Sequence, residues 1–307
     1  MSAAARPRVA APWLMLGASL LFASMAVCVK LASVHYGTGE IVFYRGLIGA
    51  LAMAGLVRWR GGSLRTAVPG MHFWRSVVGV SALCLWFVAL GKLPLATAMT
   101  LNYMSSVWMA LFLIGGAVMV GAARVDGRLV AAVLVGFVGV ALVLRPTIDQ
   151  HQLWHGRAGL LSGVLSALAY LQVSSLARAG EPETRTVFYF SLGSMGAGLV
   201  LMLLSGSAGH TLRSAALLLA IGVLAATAQM MMTRAYAIGR TLSNAGLQYM
   251  GIVFSFVYGV TLFDEAITAS ALAGVVLIVG AGLAATLLRS RSPLAPPETR
   301  SGAPTDA

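Results

Sequence analysis

Charge is scarce in this chain of 307 residues. Asp, Glu, Lys and Arg together make up 10% of it, against roughly 25% in a soluble domain. Hydrophobic residues reach 59%. So few polar groups could not cover a surface in water, and the mean hydropathy of +0.87 points the same way. Length alone would suggest about two soluble domains, but that count presumes water as the solvent. The sequence is that of an integral membrane protein. Acidic residues are scarcer still, nine against 21 Lys and Arg. None lies in the middle of an apolar run: Glu40, Asp126, Asp264 and Glu265 fall at run ends, and Asp149, Glu181, Glu183, Glu298 and Asp306 fall in gaps or the tail. A proton relay or sodium site built on a buried carboxylate is therefore not expected.

Cysteine is nearly absent. Cys28 and Cys84 both lie inside apolar runs, which leaves no disulfide framework and no cysteine metal site. No Walker sequence, HExxH or CxxC occurs. The stretch "GAGLAA" at 280–285 fits a dinucleotide glycine pattern, yet it has no preceding strand and lies within an apolar run. "GLLSG" at 159–163 offers a serine, but the five histidines, His35, His72, His151, His155 and His210, all sit near run ends or in gaps. None can activate Ser162 as a nucleophile. No cofactor, no metal and no enzymatic role are expected. The formal charge of +12 does not imply nucleic acid, because the basic residues punctuate the gaps between apolar runs and form no stripe with interleaved aromatics.

What the sequence has is apolar runs. A membrane-spanning helix needs roughly 20 mostly apolar residues. That ruler predicts ten spans: 12–34, 39–57, 71–90, 95–117, 128–145, 158–178, 185–205, 213–236, 242–262 and 267–288. The first is too long for a signal-peptide core and is followed by nine more. Residues 1–11 form a short stub, and 289–307 a small, polar, Pro-rich tail of disordered character. If the N-terminus is cytoplasmic, the inner gaps hold 15 Lys or Arg, Arg75 among them, and the outer gaps four. The positive-inside bias then places both termini in the cytoplasm.

The chain also repeats itself. "LNYM" at 101–104 returns as "LQYM" at 247–250. At the same offset Ala89 and Val107 match Ala235 and Val253, and one residue away "VFY" at 42–44 matches "VFY" at 187–189. The halves 12–145 and 158–288, joined by an external linker at 146–157, hold five spans each. Five is odd, so the second half enters the membrane from the opposite side. The expected fold is all-α: ten transmembrane helices in two inverted five-helix repeats. Inverted repeats mark many secondary transporters, with the solute site near the midplane between them.

These features resemble the drug/metabolite transporter superfamily, specifically its EamA-type carriers. The resemblance rests on the ten spans, the duplicated "A-x(11)-L-x-Y-M" stretches, "FYRGLIGAL" at 43–51 and "LFDEAITASALAGVVLIVGAGL" at 262–283. Glu265 matches the acidic residue that this family often places before the last span of each repeat. The first half lacks it near Met119, and Ser106 and Ile252 stand where the family often has proline. The resemblance implies an inner-membrane carrier of small organic solutes, often an exporter of amino acids or related metabolites. An uptake carrier for a nucleoside-like or vitamin-like solute, a polytopic membrane enzyme and a non-transporting scaffold are the alternatives. The expected partners are a small-molecule substrate and the lipid bilayer, without nucleic acid, for a monomer or homodimer.

Within that frame Asn102 and Tyr103 are expected to line the outer part of a central cavity, and Gln248 and Tyr249 its inner part. The competing reading is that these amides tie neighbouring helices together. Arg45, about six residues into the second span and preceded by Tyr44, would suit a substrate carboxylate, or would snorkel to the interface. Its repeat partner is Phe190, so the charge is not duplicated. Lys30 is expected to snorkel. Trp86 is a candidate cavity wall. Gln172 and Gln229 are candidates for ligand contact or helix-to-helix hydrogen bonds. Gly159 and Gly163, and the row Gly251, Ser255 and Gly259, are expected to let helices approach closely. With no buried carboxylate, facilitated transport, exchange or coupling through another group is expected.

Overall fold

A computed structural model of the chain describes residues 6–119, 152–239, 247–266 and 268–290, with single positions at 131, 135, 138, 139, 142 and 244. The expected fifth span, apart from those positions, and the tail beyond 290 lie outside the described residues. All the regular structure described is helical: α1 (Arg6–Ala32), α2 (Thr38–Trp59), α3 (Pro69–Leu90), α4 (Leu95–Tyr103), α5 (Ser105–Met119), α6 (Leu153–Arg178), α7 (Glu183–Ser205), α8 (Leu212–Ile238), α9 (Met250–Phe263) and α10 (Ala269–Ser290). Six helices among the described residues, α1 (from Ala11), α2, α3, α6, α7 and α8, are long and apolar enough to cross a membrane. α9 and residues 272–281 of α10 are shorter apolar helices. Trp13, Trp59, Trp74 and Trp154 stand exposed within the first or last few turns of their helices, where amphipathic rings sit at a membrane interface.

The helix ends follow local chemistry. Pro69 occupies the first turn of α3, and Pro182 precedes α7, where a missing N–H costs nothing. Thr211 and Ser214 form a reciprocal capping box at the start of α8. Gly206 ends α7 with φ of 84°, a conformation that favours glycine.

Two expected spans are discontinuous. The run 95–117 forms α4 and α5, which meet at Met104. Near the start of the run 242–262 the backbone turns at Gln248 and Tyr249 before α9 begins. Both breaks fall on the duplicated motif. At each the chain tightens to three-residue hydrogen bonds: Val107 N–H to Met104 O at 2.9 Å, and Gly251 N–H to Gln248 O at 2.9 Å. No proline is involved. Polar side chains stand at the breaks, Asn102, Ser105 and Ser106 at one and Gln248 at the other, but each run stays apolar on average, so hydropathy does not register the change of backbone path.

Small residues set the packing. Gly39, Gly46 and Gly49 of α2 face Leu201, Met195 and Ser191 of α7, and Gly198 of α7 faces Phe43. Rising positions on α2 meet falling positions on α7, so the two run antiparallel in the most extensive helix contact described. The same holds for α1 with α8, where Gly17 meets Met231, and for α3 with α6, where Gly159 meets Ala89. α4 and α9 are also antiparallel: the Tyr103 ring covers Gly251, and the Leu95 N–H meets Glu265 just beyond α9.

Candidate functional site

A central cavity lies among α1, α2, α3, α4, α6, α7 and α8, and both halves of the chain line it. Its volume is about 50 Å³, several times the roughly 10–15 Å³ that one water requires. It admits a few waters as it stands, and a metabolite requires it to widen.

Arg45 reaches the cavity from the second turn of α2, and Arg75 from the second turn of α3. Both are buried, at 4% and 3% exposure. Their guanidinium carbons lie 5.3 Å and 4.2 Å from the centre of one ring, that of Phe190 on α7. Gly79, one turn beyond Arg75, gives the guanidinium its room, because a Cβ there would coincide with Arg75 Nη1. The sequence groups Arg75 with the charges of the inner gap. The structure instead encloses it, because Gly79 and Phe190 form a slot that a long planar head fills.

Asn102 stands one residue before the end of α4, at the cavity wall. Its Nδ2 donates to Ser162 Oγ and Ser166 Oγ of α6, each at 3.1 Å. Gly163 makes this possible, since it lets the α4 backbone at Leu101 press directly on α6. Asn102 therefore ties helices and lines the cavity at once. Trp86, Tyr103, Gln229 and Arg45 line it as well, together with Phe22, Ser166, Tyr170 and Phe190. Other candidates stand elsewhere. Gln248 is buried behind Tyr170, within hydrogen-bonding reach of it, and makes a weak 3.6 Å contact to Met232 Sδ. Tyr249 is fully enclosed and outside the lining. Tyr44 lies at one end of the bundle, where its hydroxyl meets His210 Nε2 at 2.7 Å. Gln172 is half-buried away from the cavity. Arg75, Tyr170 and Phe190 were not among the expected site residues. Arg75 carried a signal, a charge five positions inside the predicted third span, and Phe190 carried one as the repeat partner of Arg45.

Polar clusters join the two halves at both ends. At one, Lys30 Nζ donates to Leu93 O at 2.7 Å and pairs with Glu265 at 3.1 Å, while Glu265 accepts the Leu95 N–H. Lys30 thus has fixed partners where the sequence suggested snorkelling. Beside it the Tyr36 hydroxyl lies 2.9 Å from His210 Nδ1, and Glu40 lies 3.9 Å from His210 Nε2. At the other end His72 meets Glu181 at 3.1 Å, and Thr66 and Arg185 also reach that carboxylate. Desolvation would raise the Glu181 pKa, but the bonds from His72 and Thr66 and the Arg185 charge outweigh it and hold the carboxyl below its ordinary value. Among the described residues no group of three His, Cys, Asp or Glu is placed to hold a metal.

Comparison with known proteins places this architecture. The EamA-like transporter family matches residues 10–145. A pseudopaline exporter of Pseudomonas aeruginosa is 34% identical over 268 residues, covering 87% of this chain and 92% of the relative. A riboflavin transporter of Rhizobium johnstonii is 32% identical over 176 residues, 57% of this chain and 56% of the relative. A solved crystal structure of a protein at 20% identity superposes with a TM-score of 0.69 over 93% of this chain and all of that one, which speaks to the fold alone. The chain belongs to the EamA-like transporter family of the drug/metabolite transporter superfamily, and it is a multi-pass inner-membrane transporter, not an enzyme.

Proposed function

We propose that the protein is an alternating-access secondary carrier that moves small organic metabolites outward through two inverted five-span repeats, with both termini cytoplasmic. The observation that carries this reading is the reciprocity of the packing. If each helix of the first half is exchanged for its counterpart five spans on, α1 with α8 becomes α6 with α3, and α2 with α8 becomes α7 with α3. All four pairings occur. The self-paired contacts α2 with α7 and α4 with α9 are antiparallel, as an axis in the membrane plane requires. Arg45 and its repeat partner Phe190 touch across the α2–α7 contact. The match to the family ends at residue 145, where the sequence places the joint between the halves.

Solute recognition falls to the cavity wall, with Arg45, Trp86, Asn102, Tyr103 and Gln229 in contact. Gln248 acts one step back through Tyr170. Tyr249 fixes the second helix break, Tyr44 serves the outer closure, and Gln172 serves packing. The exporter relative favours the outward direction. Exchange or facilitated diffusion fits a cavity whose lining, among the described residues, contains no carboxylate. Purified protein in liposomes, challenged with a panel of small organic solutes, should release at least one faster than empty vesicles. Saturating counterflow in the absence of ion gradients is the expected signature. A panel that moves only under a pH gradient, and stops when one carboxylate is replaced, overturns the coupling assignment.

A further inference from the structure

Two buried arginines that share one neutral ring and, among the described residues, touch no carboxylate leave the cavity with a surplus of positive charge. We infer that the solute is an organic anion carrying two carboxylates, bound between Arg45 and Arg75. This rests on the carrier reading and names its substrate class. The ion pairs among the described residues are Lys30–Glu265, His72–Glu181, Arg185–Glu181 and His210–Glu40, and none involves Arg45 or Arg75. The Nε of both, and Nη1 of Arg75, have no hydrogen-bond partner among the described residues. Buried charges are ordinarily paired, and the face of Phe190 is a weak substitute for an anion. By their two ring distances the guanidinium centres stand within about 10 Å of each other, so each also repels the other. A group so placed destabilises the empty protein and is relieved by a ligand of opposite charge. Guanidinium forks match carboxylates bidentately. The rest of the wall suits the body of such a solute: Trp86 and Phe22 are apolar, and the Asn102 and Gln229 amides can serve a further polar group. Arg75 extends the site beyond the single charge legible at Arg45, so two carboxylates fit where one would leave a cation unpaired.

The test uses the full chain in detergent, with succinate and glutamate as dicarboxylate probes, butyrate as a monocarboxylate, inorganic phosphate, glutamine and putrescine. Binding is read from thermal unfolding and from tryptophan fluorescence. Succinate or glutamate is expected to raise the unfolding temperature and to bind at least tenfold more tightly than butyrate, glutamine or phosphate, with no binding of putrescine. Arg45→Gln and Arg75→Gln should each weaken the dicarboxylate at least tenfold. In the absence of probe both variants should unfold at a higher temperature than the parent, because an unpaired buried charge is gone. A purely structural arginine gives the opposite sign, and that result sinks the inference. It also fails if no dicarboxylate binds, if phosphate binds more tightly, or if glutamine or putrescine binds equally well in parent and variants. Saturable transport of a neutral solute in liposomes would leave the carrier reading standing while removing the dianion. Absence of transport for every solute would remove the carrier reading itself.

Discussion

Replacing Asn102 with alanine separates its two roles, because they differ in magnitude. As a tie, Asn102 donates two hydrogen bonds to α6, to Ser162 and Ser166. Interhelical hydrogen bonds in membranes average roughly 0.6 kcal/mol each, so the pair contributes about 1.2 kcal/mol. The acceptors are not stranded: the Ser162 hydroxyl already donates to Gly159 O at 2.6 Å, and Ser166 has Tyr170 beside it. Asn102→Ala should therefore cost about 1–2 kcal/mol, leaving a protein of ordinary stability folded. As a contact to the solute in an enclosed site, one lost amide hydrogen bond is worth about 1–3 kcal/mol. That corresponds to a roughly 5- to 150-fold drop in transport per folded molecule. The assay pairs thermal unfolding in detergent with counterflow in liposomes, normalised to folded protein. A stability loss of about 4 kcal/mol with normal transport would refute the reasoning and make Asn102 a tie alone.

Three further predictions concern the framework. Gly46→Ala should prevent a properly packed bundle, since its Cβ would fall on the backbone at Met195 and Ser191, where neither neighbour can yield. Gly55→Ala on the same helix meets nothing within 4 Å and should gain up to about 1 kcal/mol from helix propensity; yields after solubilisation compare the two. Glu265→Ala should cost about 2 kcal/mol, because it removes an ionised acceptor from the Leu95 N–H and from Lys30 together; Glu265→Gln should recover part of this in chemical unfolding. The Glu181 carboxyl is held below its ordinary value of 4.5. It therefore stabilises the fold above that pH, and the contribution is lost as pH falls through the lower, folded value. Unfolding temperatures taken between about pH 6 and 3 should show a decline that Glu181→Gln abolishes.

The apolar runs made most helices legible, because membrane thickness dictates run length and Lys, Arg, Pro and Gly mark the gaps. The expected starts at 39, 71, 185 and 213 lie within a few residues of α2, α3, α7 and α8. α6 starts at Leu153, within the residues that had been assigned to the linker. What hydropathy could not reveal was backbone geometry inside a stretch that is apolar on average, so the breaks at Met104 and at Gln248 and Tyr249 went unseen. The repeat marked their places without showing what they were. Arg45 was legible as a charge with no reason to be in a span. Arg75 was equally visible by position, but its nearness to the span end gave it to the gap. Only the slot formed by Gly79 and Phe190, from helices over a hundred residues apart, shows that it turns inward.

The two ends of the bundle bear on how such a cavity could work. A carrier that alternates needs two states separated by no more than a few kcal/mol, so neither closure can be strong. Each end is held by a handful of polar contacts between the halves: Lys30 with Glu265 and His210 with Tyr36 and Tyr44 at one, Glu181 with His72 and Thr66 at the other. Between them the close α2–α7 contact, built on glycine and serine, offers backbone surfaces with little side-chain interlock. Breaking one cluster while keeping the other would leave that contact as the pivot. Arg45 and Phe190 sit across it, so on the proposed carrier reading a ligand that draws Arg45 toward itself would act on one of the surfaces about which the two halves turn. Coupling between solute and closure would then need no separate element, because the residue proposed to sense the charge also lies in the contact between the halves.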